Sequence, residues 1–389
     1  MRLSSLAFAA GMAISSASLL AQDAAPAPAA AEGPYKVVNS AKVGGEGGFD
    51  YVFADSASRK LFIPRSAGRS GGRIDVYDLD ALKLLGTVTG GIGGHGVAVD
   101  PKTSHGFASS NPVIMFDTGT LQTLKSIQCE GSPDGIFFEP VSQHIYVLSH
   151  RAPNVTVLNS TDGSVVGTID LGGAPEEGGS DGKGHAYIDL EDKGAVAVVD
   201  VATNKVTATY SLGDKGDGPA GLAVDGQNGI LFAFCHSQKC IVVNAADGKI
   251  LDTLPIGNGV DAAEWNPNTM EAFSSQGDGT LTVIKENSPT SFAVEQTLKT
   301  KQGAKCSTLD IKTGQIYLTS AERAARPAAP APDAAPAAGG AGAGGPHAGG
   351  AADAGGGGAG GGGRRAGGRG GRGGATVPGS FTITVVGKS

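Results

Sequence analysis

Residues 134–169 read DGIFFEPVSQHIYVLSHRAPNVTVLNSTDGSVVGTI, and this stretch decides the fold. It contains four short apolar runs, at 134–139, 145–148, 155–158 and 165–169. Val, Ile, Tyr and Thr dominate the runs, while Gly, Asp, Pro and Asn separate them, which is typical of strands joined by tight turns. The stretch therefore predicts a four-stranded antiparallel unit.

The same unit occurs seven times along the chain. Successive copies start 45, 39, 42, 44, 41 and 44 residues apart. A period of about 40–45 residues with four strands per copy is typical of propeller blades. The aligned start positions are Asp50, His95, Asp134, Glu176, Ala220, Asp261 and Lys305. The sequence therefore predicts an all-β, seven-bladed β-propeller.

The seventh copy lacks its last strand, which indicates how the ring closes. It supplies runs at 306–310, 315–319 and 380–386, and an unmatched run at 35–43 precedes the first copy. We expect this N-terminal run to be the fourth strand of the last blade, because such closure protects the edges of the sheets. The propeller then spans residues 35–389.

Residues 1–21 have the pattern of a signal peptide. Arg2 provides the positive start, an apolar stretch follows, and cleavage after Ala21 fits the pattern. The alternative is an anchor helix that is retained. No other stretch is long and apolar enough to span a bilayer. We therefore expect a periplasmic or secreted protein that has no membrane span after cleavage.

Two segments have a composition that cannot build a core. Residues 22–34 are rich in Ala and Pro and predict a disordered spacer. Residues 324–378 consist largely of Ala, Pro and Gly and predict a disordered insert within the seventh blade. The Arg and Gly run at 364–374 resembles segments that bind single-stranded nucleic acid; the alternative, which we favour, is a solvated loop.

The charge of the chain argues against nucleic acid as a partner. The formal net charge is −7. Residues 322–378 carry a net +3 and Arg2 adds one positive charge, so the rest of the chain carries −11. Binding to a phosphate backbone requires clustered Lys and Arg, which an acidic propeller does not offer.

The aligned start positions predict a polar ring. Because the first strand of each propeller blade lines the central channel, we expect this ring at one mouth of the channel. Its polar members are Asp50, His95, Asp134, Glu176, Asp261 and Lys305. Loops between second and third strands open on the same face and add the outer residues Arg65, His150, Arg151 and His236.

Four carboxylates at one mouth are candidates for binding a polar ligand or a divalent cation. Calcium is the favoured ion because it accepts about six to eight oxygen ligands in flexible geometry, whereas a first-row metal would need more than one His at close spacing. The alternative is a polar, hydrated mouth without a ligand. The zinc-protease motif His-Glu-x-x-His does not occur in the chain, and no catalytic residue is assigned.

The chain contains four cysteines. Cys235 and Cys240 flank a short loop in the fifth copy, and we expect the hairpin to bring them close enough for a disulfide. A pair of buried thiols is the alternative. Cys129 and Cys306 fall on an outer and an inner strand, so we expect them to be far apart and free.

Several strands carry a recurring motif. Ile145-Tyr-Val-Leu-Ser149 is followed one strand later by Asn154-Val-Thr-Val-Leu158, and Ala186-Tyr-Ile-Asp-Leu190 by Ala195-Val-Ala-Val-Val-Asp200. On these motifs the chain resembles the YVTN-repeat propellers and, within them, the exported bacterial YncE-like proteins. The resemblance implies a secreted or periplasmic binding propeller.

Three functions follow as hypotheses. The favoured one is an exported, non-catalytic binding or scaffold propeller, a monomer that takes an unknown small molecule or protein at the mouth face. The second is a lactonase- or lyase-like enzyme that uses the mouth carboxylates and His95 with a divalent cation. The third is an accessory subunit of a periplasmic redox system, similar to quinoprotein amine dehydrogenase chains.

Overall fold

A computed structural model describes residues 33–66, 71–91, 94–152, 154–324 and 376–388. These residues form strands, bridges and turns. No helix that is long and apolar enough to cross a membrane occurs among them. The predicted signal peptide lies outside the described residues, as do most of the predicted spacer and insert.

Seven four-stranded antiparallel sheets form the structure, which confirms the predicted propeller. The chain begins with β1 (Tyr35–Lys42). Blade one contains β2 (Phe53–Asp55), β3 (Lys60–Ser66), β4 (Gly72–Asp78) and β5 (Leu84–Thr89). Blade two contains β6 (Val97–Asp100), β7 (His105–Ala108), β8 (Val113–Asp117) and β9 (Thr123–Ile127). Blade three contains β10 (Pro133–Glu139), β11 (His144–Ser149), β12 (Val155–Asn159) and β13 (Val165–Ile169).

The remaining blades follow the same order from the channel outwards. Blade four contains β14 (Pro175–Ser180), β15 (His185–Leu190), β16 (Ala195–Asp200) and β17 (Lys205–Ser211). Blade five contains β18 (Pro219–Asp225), β19 (Ile230–Cys235), β20 (Lys239–Asn244) and β21 (Ile250–Pro255). Blade six contains β22 (Val260–Asn266), β23 (Glu271–Gln276), β24 (Thr280–Ser288) and β25 (Ser291–Lys299). Blade seven contains β26 (Cys306–Asp310), β27 (Gln315–Ser320), β28 (Thr382–Lys388) and β1.

Apolar side chains from neighbouring blades form the core. Strand β11 shows the principle, since successive side chains point to opposite faces of a strand. Tyr146 and Leu148 pack towards blade four, whereas Ile145 and Val147 pack towards blade two. The described residues contain seven such clusters, one between each pair of adjacent blades. Both faces of each blade are therefore buried, which explains the continuous apolar runs.

The two ends of the chain close the ring, as predicted. Strand β1 pairs antiparallel with β28, from Tyr35 opposite Lys388 to Lys42 opposite Thr382. Tyr35 is buried, its hydroxyl donates to Glu271, and Gln296 hydrogen-bonds to both its backbone N–H and its carbonyl. The closing strand is thus fixed to blade six as well as to blade seven.

The predicted insert leaves blade seven between β27 and β28, which pair directly with each other. Its two ends lie side by side, because Arg323 and Thr376 form a β-bridge and the Val377 N–H donates to the Glu322 carbonyl at 2.8 Å. The four strands of the blade are therefore complete without the insert.

Candidate functional site

The polar ring lies at the start of the inner strands, where it was predicted. Asp134, Glu176 and Asp261 belong to β10, β14 and β22, while His95 and Lys305 come just before β6 and β26. In these three inner strands, and in β18, the register with the second strand shifts at the ring position. Such β-bulges redirect a side chain relative to the sheet.

Positive and negative side chains alternate around the mouth. We call the following residues the mouth cluster: Asp50, His95, Asp134, His150, Glu176, Asp261 and Lys305. The Lys305 ammonium contacts Asp261 directly and lies 3.3 Å from Oδ1 of Asp50. Oδ2 of Asp50 lies 2.9 Å from Nδ1 of His95. Blades six, seven, one and two are therefore joined in sequence at the mouth.

The alternation continues through blades three and four. Nδ1 of His95 lies 3.2 Å from Oδ1 of Asp134, whose Oδ2 lies 3.8 Å from Nε2 of His150. The same Nε2 lies 2.6 Å from Oε2 of Glu176. Asp134 thus stands between two imidazoles and presents one carboxylate oxygen to each.

Charged neighbours favour the ionised forms of Asp50, His95 and His150. Despite burial, the hydrogen bond from His95 and the charge of Lys305 lower the pKa of Asp50 to about 2. Hydrogen bonding to Glu176 raises the pKa of His150 to about 9, and hydrogen bonding to Asp50 raises that of His95. Asp134 and Asp261 differ, since burial and the neighbouring carboxylates raise their pKa values to about 6 and about 7.

Tyr51 closes the mouth from below, which the sequence did not predict. Its hydroxyl reaches from blade one to blade four and donates to Oε1 of Glu176 at 2.9 Å. Burial and the surrounding carboxylates raise its pKa. Because blades one and four stand on opposite sides of the ring, the side chain crosses the channel. The mouth cluster is therefore a basin rather than an open pore.

A cavity of about 570 Å³ lies below Tyr51 and is lined by the inner strands. Its walls are largely apolar, with side chains such as Val97 and Phe137. Glu264 accepts a hydrogen bond from Ser307 at 3.2 Å, and burial raises the pKa of Glu264 to about 8. Glu177 accepts from two backbone N–H groups, at 2.7 and 3.0 Å. Burial raises its pKa as well.

The outer residues differ in where they lie. His150, predicted in an outer loop, turns inwards and joins the mouth cluster. His236 stays outside it and pairs with Glu191 at 3.6 Å. Arg151 has an exposed position, and its backbone carbonyl accepts from the Ser149 hydroxyl at 2.8 Å.

The prediction that Arg65 lies in an outer loop of this face and is available to a ligand is wrong. Arg65 belongs to β3 and is fully buried. Its guanidinium stacks over the Phe381 ring, 3.8 Å from the centroid. Nη2 donates to the carbonyls of Glu46 and Gly47, both at 3.2 Å. The side chain therefore holds the loop before blade one against blade seven, and it is not open to a ligand.

The predicted disulfide between Cys235 and Cys240 is also wrong, because both thiols are free. In the β19–β20 pairing Cys235 stands opposite Lys239, and Phe234 opposite Cys240. A one-residue offset places the two side chains on opposite faces of the blade. Cys235 packs towards blade four and Cys240 towards blade six.

Cys306 contributes to the site, which the sequence did not predict. Its thiol donates to Oδ2 of Asp261 at 3.2 Å and lies beneath the contact between Asp261 and Lys305. Burial raises the pKa of this thiol well above its ordinary value. Three groups of side chains at the mouth could hold a metal ion, each with ligand atoms within 4.8 Å of one another. They are Asp50 with Asp261 and Cys306, Asp50 with His95 and Asp134, and Asp134 with His150 and Glu176.

Comparison with known proteins supports the fold and leaves the family open. The chain is similar to U3-55K, with a TM-score of 0.62 and 9% identity over 76% of this chain and 92% of that chain. It is also similar to the WD40 repeats of RRP9, with a TM-score of 0.62 and 11% identity over 76% and 91% of the two chains. A third match is to hydrazine synthase from Kuenenia stuttgartiensis, with a TM-score of 0.58 and 15% identity over 70% and 92%.

These likenesses support a seven-bladed β-propeller fold with WD40-like structural neighbours, and at such low identity they show the fold alone. No protein-family model matches this chain. No curated protein matches it by sequence. The resemblance to YVTN-repeat and YncE-like proteins therefore stays a prediction.

Proposed function

We propose that this chain is an exported, non-catalytic binding propeller that takes its ligand at the mouth cluster. The observation that carries the proposal is the convergence of charged side chains from six blades into one basin that Tyr51 closes from below. A closed basin with several convergent polar groups is suited to binding a small ligand or the tip of a protein partner. The export pattern of residues 1–21 and the YncE-like motifs support the same function.

The charge of the basin indicates a ligand that is or contains a cation. The mouth cluster contains four carboxylates, whereas Lys305, His95 and His150 supply three positive groups at most. A bound cation would relieve the repulsion between carboxylates that, together with burial, raises the pKa values of Asp134 and Asp261. The proposed ligand is therefore a divalent cation, or a polar molecule bound together with one.

The test is stabilisation of the full chain by ligands in a thermal-unfolding screen. The screen covers calcium, magnesium, zinc and manganese, followed by sugars, lactones and oligonucleotides. A ligand that binds only the folded state raises the melting temperature by mass action. The double variant D134N/D261N should lose the rise, whereas H236N, on the same face but outside the mouth cluster, should keep it. A panel that leaves the wild-type melting temperature unmoved would contradict the proposal.

A lactonase-like hydrolase is the second candidate. It is favoured by the two triads that include a His, since three protein ligands leave coordination positions open for water or substrate, as in catalytic metal sites. Lactone hydrolysis by the metal-loaded protein, lost in D134N, would establish it over the binding function.

A further inference from the structure

We infer that the mouth cluster holds two first-row divalent ions such as zinc, bridged by the carboxylate of Asp134. The inference rests on the proposed function and deepens it by naming the class and number of the ions. Two neighbouring ligand sets share this carboxylate: Asp50, His95 and Asp134 form one, and Asp134, His150 and Glu176 form the other. In each set the three ligand atoms lie within 4.8 Å of one another.

The separations between the donor atoms fit coordination of a common ion. Two ligands that each lie about 2.1 Å from one ion are roughly 3–3.4 Å apart in octahedral or tetrahedral geometry. Nδ1 of His95 lies 2.9 Å from Asp50 and 3.2 Å from Asp134. Nε2 of His150 lies 2.6 Å from Glu176 and 3.8 Å from Asp134. The separations that involve the two imidazole nitrogens therefore differ from coordinating distances by less than about an ångström, and the two carboxylate atoms of each set lie within 4.8 Å of each other.

The surroundings of Asp134 favour a two-ion site over a network of ion pairs without metal. Its Oδ1 is buried and accepts no hydrogen bond from any described residue, because Nδ1 of His95 is engaged with Asp50. A buried acceptor without a donor costs free energy that a cation at this point would remove. Its two oxygens face different imidazoles, which is how one carboxylate spans a pair of ions about 3.5–4 Å apart.

The donor types select the class of ion. Imidazole nitrogen suits zinc and its first-row neighbours, whereas calcium and magnesium prefer oxygen ligands. The sequence argued for calcium because a second His close to His95 was not evident. The loop after β11 supplies that second imidazole, since His150 turns into the basin.

The experiment measures metal stoichiometry on the full chain. The protein is stripped with a chelator and titrated with Zn²⁺ by calorimetry, and the bound metal is measured after gel filtration. Co²⁺ is used in parallel, because its visible absorption reports the ligand geometry. We expect two zinc ions per chain, and we expect an excess of Ca²⁺ not to displace them.

Matched histidine variants locate each ion. H95N and H150N should each retain one of the two ions, while D134N should weaken both by roughly tenfold or more. H236N is the control, because His236 lies on the same face and pairs with a carboxylate but belongs to neither ligand set. It should bind two ions. Cooperative thermal unfolding of each metal-free variant verifies that it is folded.

The possible outcomes separate this inference from the proposed function. One zinc ion or none in the wild type, or an equal loss in H236N, overturns the two-ion site. If the mouth binds calcium in place of zinc, or a polar ligand without metal, the two-ion site is overturned. The proposed function stands in either case. Failure of every ion and ligand to bind at the mouth overturns both.

Discussion

Above Tyr51 the channel carboxylates contact positive side chains, whereas below it the carboxyls of Glu177 and Glu264 are held by neutral donors. Lys305, His95 and His150 supply the charges above, and backbone N–H groups and the Ser307 hydroxyl supply the hydrogen bonds below. The two halves use the same inner strands and the same residue type. Only the upper half therefore combines carboxylates with charged partners, and only this half is suited to a cation.

The largest expected effect comes from removing the ammonium that serves two carboxylates. Lys305→Met leaves Asp50 and Asp261 without their shared partner. Breaking a fully buried pair costs about 3–5 kcal/mol, and because the Lys305 side chain is 34% exposed we expect about 3 kcal/mol less free energy of unfolding. Urea unfolding at pH 7 measures the difference.

The double variant K305M/D261N provides the control for this prediction, since it removes a positive and a negative group together. It should recover most of the lost stability. Equal stability of K305M and the wild type would show that the upper carboxylates do not depend on ionic partners, and the contrast between the two halves would fail.

In the lower half, the buried carboxyl of Glu264 should make stability depend on pH. The pKa of Glu264 is about 8 in the folded protein and 4.5 as its ordinary value. Between these values the folded state binds a proton that the unfolded state has lost, so this group makes stability fall as pH rises from about 4.5 to 8. Glu264→Gln removes the free-energy cost of ionising this buried carboxyl, which depends on pH. We expect the variant to gain about 2 kcal/mol relative to wild type between pH 5 and pH 9.

Urea unfolding at several pH values tests this, with Glu322→Gln as the control because the Glu322 side chain is 70% exposed. The control should follow the wild-type pH dependence. A constant difference between Glu264→Gln and wild type across this range would mean that Glu264 is ionised in the folded state, as Asp50 is.

The smallest expected effect concerns the boundary between the halves. Tyr51→Phe removes the hydroxyl that donates to Glu176, and loss of one such hydrogen bond costs about 1 kcal/mol. Tyr146→Phe is the matched control, since it removes a hydroxyl that donates to Asn204 at 2.8 Å, away from the channel. Both variants should lose similar stability, but only Tyr51→Phe should alter ligand affinity at the mouth. Equal ligand affinity in the two variants would show that the Tyr51 hydroxyl does not contribute to binding at the mouth.

Most of the fold was predictable because a local sequence pattern specifies each blade and this pattern recurs seven times. Continuous apolar runs such as 145–148 specify strands that are buried on both faces, turn residues specify hairpins, and the seven-fold period specifies the blades. The closing strand was predictable from the number of strand-like runs, since blade seven lacked one strand and the N-terminal run at 35–43 belonged to no other blade. The disulfide prediction was wrong because it depended on the pairing register of β19 and β20. That register turns Cys235 and Cys240 to opposite faces of the blade.

The sequence by itself determined the propeller, the number of blades and which residues stand around one channel mouth, since each of these follows from periodicity. Only the tertiary structure decided which of those residues touch. His150 turns inwards and Tyr51 crosses the channel because side chains from different blades meet at one axis, and Arg65 is buried because Phe381 of blade seven packs against it. Contacts of that kind depend on the closure of the whole ring and on bulges in its inner strands, and no local pattern encodes them.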